Sequence, residues 1–312
     1  MRKPVKPSSL KFLIRTAGTI LSASLFIWLL VQQDWSRTWQ ILSEMPMWLL
    51  PVAFSLYFGS VLVNALRWFF LIRAQDVKIN FIETLKMVLV GNFASNFLPS
   101  TVGGDAARIA GLARFTNLTI SVASTFVDRI LNVLAMFSAL PFSIAVFGPF
   151  WLGDWQSRGE GAILAGVLPQ AWRAKLSEWV KRAKDAINVW RNRPGVLFLG
   201  FALSWGGKLM IFSALWLLAR GLGMEIAFYQ IIGVGAITYA LSILPISLNG
   251  FGLREVSMTT LYIQLGATLE QASTLVVATR FILMLETLPG AIWLSDTIAG
   301  NSLFNDTERR GC

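Results

Sequence analysis

Four arginines, Arg108, Arg129, Arg254 and Arg280, interrupt otherwise apolar or Gly-rich stretches of this sequence, and four acids, Asp105, Asp128, Glu255 and Glu286, lie next to or near them. Such a set has two uses. The guanidinium groups hold an anion, for which a phosphate-bearing lipid headgroup is the fitting candidate, or the acids neutralise them one for one and the network is structural. Asp105, Asp128 and Glu255 are also capable of general acid-base work, which needs no histidine. No catalytic spacing accompanies them, so no catalytic residue is assigned.

Composition removes other chemistries. With no histidine, Ser-His-Asp and Cys-His nucleophile arrangements and histidine metal ligation are excluded. The single cysteine is Cys312, which neither forms an internal disulfide nor makes a metal site, and its position does not fit a prenylation signal. No phosphate-cradling nucleotide loop occurs, and no metal or cofactor is expected. Of the 312 residues 55% are apolar and 14% charged, against about 25% charged in soluble domains. A water-soluble globule is therefore excluded. The net charge of +10 favours anionic partners such as membrane lipids. Nucleic acid is not expected, because the cations sit between hydrophobic runs rather than on one soluble face.

The elements that must position these charges are membrane helices. Stretches of the roughly 20 apolar residues a span requires occur at Leu10–Val31, Trp48–Ile72, Phe81–Leu98, Ile120–Leu140, Val196–Ala219, Phe228–Leu248 and Leu275–Trp293. Shorter pieces at Pro141–Leu152 and Leu253–Leu265 read as half-helices. The expectation is an all-α polytopic integral membrane protein, a single transmembrane domain over 1–312 with about eight hydrophobic helices. The first stretch reads as an uncleaved span, since no small-residue cleavage pattern follows it. Arg2, Lys3, Lys6, Lys11 and Arg15 before it place the N-terminus in the cytoplasm by the positive-inside rule. The polar stretch Trp151–Gly195 carries an amphipathic basic helix over 170–193, with Leu176, Trp179, Val180, Ala183, Ile187 and Trp190 on one face, expected to lie on the membrane surface.

Two hydrophobic segments break alike. Leu98-Pro99 leads through Gly103, Gly104 and Asp105 to Arg108, and Leu244-Pro245 leads through Asn249, Gly250 and Gly252 to Arg254 and Glu255, with Leu, Pro, one Gly and Arg at a constant offset of 146. An internal repeat, approximately 81–140 and 228–293, with a re-entrant segment in each half, is the expectation. Broken helices persist in lipid only where protein or a wet cavity satisfies the freed backbone, and paired breaks point to a transporter binding site. The helix N-termini after the breaks add to the attraction for anions.

A charge at mid-membrane costs about 2.5 to 3.5 kcal/mol on insertion scales, so Arg129 and Asp128 require partners. Neighbouring helix positions point about 100° apart, so the two face different partners. Pairs across the repeats, such as Asp128 with Arg254 and Arg129 with Glu255, are one solution among several. Arg67 is expected to snorkel to the interface. Asn92 and Asn96, four apart on one face, either join helices or line a polar path.

Asn96-Phe97-Leu98-Pro99, Gly103-Gly104-Asp105 with Arg108, Asp128-Arg129, and Leu244-Pro245-Ile246-Ser247 followed by Asn249-Gly250-Phe251-Gly252-Leu253-Arg254-Glu255 together resemble the lysylphosphatidylglycerol synthase transmembrane, or flippase-like, family. The resemblance covers nearly the whole chain. It implies a membrane domain associated with moving aminoacylated phospholipid between leaflets, with relatives linked to polyprenyl-lipid glycosylation and hopanoid biology. The bifunctional synthases continue into an aminoacyl-transferase domain, and here the sequence ends soon after its last hydrophobic segment, so neither aminoacyl transfer nor glycosyl transfer is expected. The reading that follows is a lipid translocase or lipid-binding transporter of the cytoplasmic membrane, for an anionic phospholipid or isoprenoid-linked lipid. Arg108, Arg129, Arg254 and Arg280 would hold the headgroup. Its rivals are a non-transporting membrane partner of a separate lipid-modifying enzyme or glycosyltransferase, and a membrane enzyme acting on lipid headgroups.

Overall fold

The computed structural model describes residues 36, 43–97, 103–148, 188, 190, 192–243 and 252–294. Among the described residues the regular elements are α-helices: α1 (Leu49–Arg73), α2 (Phe81–Phe97), α3 (Gly103–Leu112), α4 (Leu118–Phe137), α5 (Pro194–Gly221), α6 (Phe228–Ile243), α7 (Leu253–Gln264) and α8 (Leu269–Thr287). The expected span Leu10–Val31, most of the amphipathic stretch 170–193, and the break residues Pro99, Pro245, Asn249 and Gly250 lie outside the described residues.

Length sorts the helices. At 1.5 Å per residue α1, with 25 residues, and α5, with 28, reach about 37 and 42 Å, enough for a hydrocarbon core of about 30 Å. Leu118–Gly148 also qualifies by length and composition, because α4 resumes after a turn at Ser138–Ala139. Pro141–Leu152, read from sequence as a separate half-helix, is therefore partly the continuation of α4. By contrast α2 and α6, with 17 and 16 residues, reach only about 25 Å, and α3 and α7, with 10 and 12, about 15 to 18 Å.

Capping residues set boundaries that hydropathy did not. Asn117 accepts the Ile120 N–H at 2.8 Å and starts α4. Thr268 and Gln271 cap each other's backbone N–H groups, starting α8 at Leu269 rather than at the expected Leu275.

The largest helix contact runs between α1 and α5. Apolar helices gain little from leaving lipid for one another, so they associate through close packing of small residues. Accordingly Gly207 of α5 faces Ser60 and Asn64 of α1. Two apolar clusters flank this seam. One gathers Tyr57, Leu215, Leu218, Ile231, Tyr262 and Leu275, and the other Trp68, Leu71, Val88, Leu112, Val127 and Trp190. The Trp190 indole N–H donates to the Leu71 carbonyl at 3.0 Å, fixing the chain just ahead of α5 against the end of α1.

The short helices are held by backbone contact. In α2 and α3, Gly91 lies against Arg108 and Ser95 against Gly104, an antiparallel hairpin with no room for a Cβ at Gly91 or Gly104. Further on, Gly290, in the turn of helix after α8, abuts the Leu89 carbonyl of α2. In turn Gly233 of α6 abuts Phe142 in the continuation of α4, and the Ser143 hydroxyl donates to the Gly233 carbonyl at 2.8 Å.

Candidate intramembrane polar site

Asp128 of α4 is the centre of the first polar node. Its residue exposure is 2%, and both carboxylate oxygens are engaged: Arg67 Nε of α1 donates to Oδ1 at 2.7 Å and Arg108 Nη2 of α3 to Oδ2 at 2.9 Å. Arg67 also donates from Nη1 to Ser204 Oγ of α5 at 2.8 Å. The Arg108 guanidinium lies 4.1 Å from the centroid of the fully buried Trp68 ring, a cation–π contact. The carboxylate thus ties three helices, and Arg67 extends the node to a fourth through Ser204. A buried carboxylate is costly unless paired, and here two guanidinium groups leave the node with one positive charge.

Two sequence expectations are corrected at this node. Arg67 does not snorkel: it is 4% exposed and bonded to Asp128 and Ser204, because α4 and α5 bring those acceptors against α1. Asp128 pairs with Arg67 and Arg108 rather than with Arg254, and Arg129 pairs with Asp105 of α3 rather than with Glu255. The reason is the α2–α3 hairpin, which delivers Asp105 and Arg108, three apart on one helix face, to the adjacent Asp128 and Arg129 of α4. The Arg129 side chain remains 52% exposed.

The second node sits on α7 and α8. Glu255 accepts the Gly252 N–H at 2.8 Å, and its other oxygen lies 3.7 Å from Arg280 Nη1. Gly252 has φ of 77°, the left-handed region that favours glycine. A small cavity is lined by Arg254, Glu255, Met258, Thr279, Arg280 and Leu283. Arg254, half-buried, makes no ion pair among the described residues. Glu286 is buried near it, within electrostatic range but without a hydrogen bond to its Oε2. Asn96 of α2 donates to Thr287 Oγ1 at 3.4 Å, joining α2 to α8, and Asn92 is half-buried one turn earlier.

Lys208 is a charge the sequence reading missed. It lies in the middle of α5 with its Nζ 5.1 Å from the Tyr239 ring centroid, and Tyr239 Oη accepts from Asn132 Nδ2 at 3.3 Å. Lys208 stands one helical turn after Ser204, the α5 residue bonded to Arg67. It is the only charged residue of α5 before Arg220, so the rule that singled out Arg129 also finds Lys208.

Helices long and apolar enough to span a bilayer, short helices held against them, and ion pairs buried between them define a polytopic α-helical membrane protein. The transmembrane region model of lysylphosphatidylglycerol synthases matches residues 15–290, and the chain belongs to that family. It is 22% identical to a UPF0104 membrane protein of Methanothermobacter thermautotrophicus, over 91% of this chain and 93% of the relative. A UPF0104 membrane protein of Pyrococcus horikoshii is 21% identical over 90% and 96%, and one of Archaeoglobus fulgidus 24% over 72% and 79%. No solved structure matches the chain.

Proposed function

We propose that this protein is a lipid translocase or lipid-binding transporter of a cytoplasmic membrane, N-terminus inside, that takes the anionic headgroup of a phospholipid or isoprenoid-linked lipid among Arg108, Arg129, Arg254 and Arg280. The observation that carries the reading is the charge imbalance at intramembrane depth. The Asp128 node keeps one positive charge in excess, and Arg254 makes no direct ion pair among the described residues, with Glu286 the acid near it. A structural network alone would neutralise such charges, since each is expensive at that depth. The antiparallel α2–α3 hairpin, too short to cross, supports a re-entrant arm in the first half, and the succession α6, α7, α8 supports its repetition in the second. The acyl chains stay in lipid while the headgroup crosses the polar interior.

The test is reconstitution into liposomes containing fluorescent phosphatidylglycerol, with translocation read by quenching of the outer-leaflet label. Arg254→Ala is expected to slow translocation at least about tenfold while the protein still purifies as a folded species. Wild-type rates from Arg254→Ala would overturn the headgroup assignment.

A further inference from the structure

Three helices present polar side chains in two successive layers. In the first, Arg67, Asp128 and Ser204 are bonded together and closed to solvent. One turn along, the same helices carry Asn64, Asn132 and Lys208: the spacing is three residues on α1 and four on α4 and α5, which keeps each pair on one face. Tyr239 of α6 completes this second layer, and all four of its members are half-buried rather than sealed.

The first layer holds a carboxylate and the second does not. Lys208 faces the Tyr239 ring, whose hydroxyl accepts from Asn132, and Asn64 lies against the neighbouring Gly207; Lys208 forms no ion pair among the described residues. Its place, 14 residues after Pro194 and 13 before Gly221, puts either end of α5 about 20 Å away, too far for its stem to carry the ammonium to an interface. The aromatic face offsets only part of the cost of that charge. We propose that Lys208, with Asn64 and Asn132, forms an anion-binding station that takes a phosphate group at the centre of the membrane, one helical turn from the Asp128 node. Resting on the lipid reading above, this makes Lys208 the residue that receives the headgroup phosphate beside the Asp128 node. The compact ammonium supplies charge, the carboxamide N–H groups supply directional donors, and Tyr239 holds the lysine stem in place.

The experiment is equilibrium binding of two probes, dioctanoyl phosphatidylglycerol and inorganic phosphate, to the full chain in neutral detergent. It compares wild type, Lys208→Gln, Lys208→Arg and Arg254→Gln. Loss of a charge-assisted contact is expected to weaken the bound probe about tenfold or more in Lys208→Gln, with Lys208→Arg within about threefold of wild type. Weakening of phosphatidylglycerol alone identifies a lipid headgroup as the source of the phosphate, and weakening of inorganic phosphate as well identifies the free ion; either supports the station. A second measurement on wild type covers misfolding of the variants: reductive methylation of Lys208, followed by peptide mass spectrometry, is expected to slow at least threefold when either probe is bound. Undiminished methylation, or full affinity in Lys208→Gln alongside lost affinity in Arg254→Gln, overturns the station and leaves the lipid reading standing. No binding of either probe to wild type overturns both.

Discussion

The two polar nodes carry the same motif and settle their charges differently. Arg108 and Arg254 stand 146 residues apart at matching places after a Pro-containing break, yet Arg108 is clasped by Asp128 and stacked on Trp68, whereas Arg254 borders a small cavity without an ion pair among the described residues. The difference traces to one position. The residue before Arg129 is Asp128, and the residue before Arg280 is Thr279, which lines that cavity. Where a carboxylate stands, the arginines become part of the framework. Where a hydroxyl stands, Arg254 is left without a direct ion pair among the described residues and borders the cavity with Glu286 nearby.

Breaking the framework node has the largest expected effect. Asp128→Ala leaves Arg67 and Arg108 buried against each other, and removing one partner of a buried network costs about 3 to 5 kcal/mol; thermal unfolding in detergent, followed by tryptophan emission, is expected to register that loss or the absence of folded protein. The opposite change sharpens the comparison. Thr279→Asp supplies a carboxylate beside Arg254, and is expected to weaken phosphatidylglycerol binding about tenfold, near 1.4 kcal/mol, without lowering thermal stability. The smallest effect belongs to Arg193 and Asp76, an ion pair at 3.0 Å whose side chains are 46% and 81% exposed. Such pairs contribute about 0 to 1 kcal/mol, so Arg193→Ala is expected to unfold close to the wild-type temperature and to lose that difference in high salt.

Much of the fold was legible because apolar length is a one-dimensional signal. The stretches Trp48–Ile72 and Val196–Ala219 coincide with α1 and α5 to within a few residues. The start of α8 was missed because a capping box, not hydropathy, decides it. In α3 the pair Gly103-Gly104 reads as a chain breaker, yet it opens a helix because Gly104 must lie against Ser95 and the Gly91 carbonyl.

The charges in the site were legible, but their partners were not. Central Asp128 and Arg129 announce that partners exist, and nothing in the sequence near Arg67 says that Asp128 and Ser204 will arrive beside it from 61 and 137 residues away. Its place near the C-terminal end of α1 made an interfacial role the natural reading. Lys208 was legible by the same rule and passed over, since a lone lysine in a long apolar run does not alter the span around it.

The close approach of Gly290 to Leu89 has a consequence in time. The two residues are 201 positions apart, and at about 5 to 20 residues per second a ribosome takes roughly 10 to 40 s to cover that distance. During that interval the α2–α3 hairpin is already made while the helix that will press on its backbone has not been synthesised. Gly233, by contrast, is made after Phe142 and Ser143, its own abutment. The α2–α3 hairpin therefore waits for its wall and α6 is born against one, so the order of synthesis makes unequal what the folded contacts make alike.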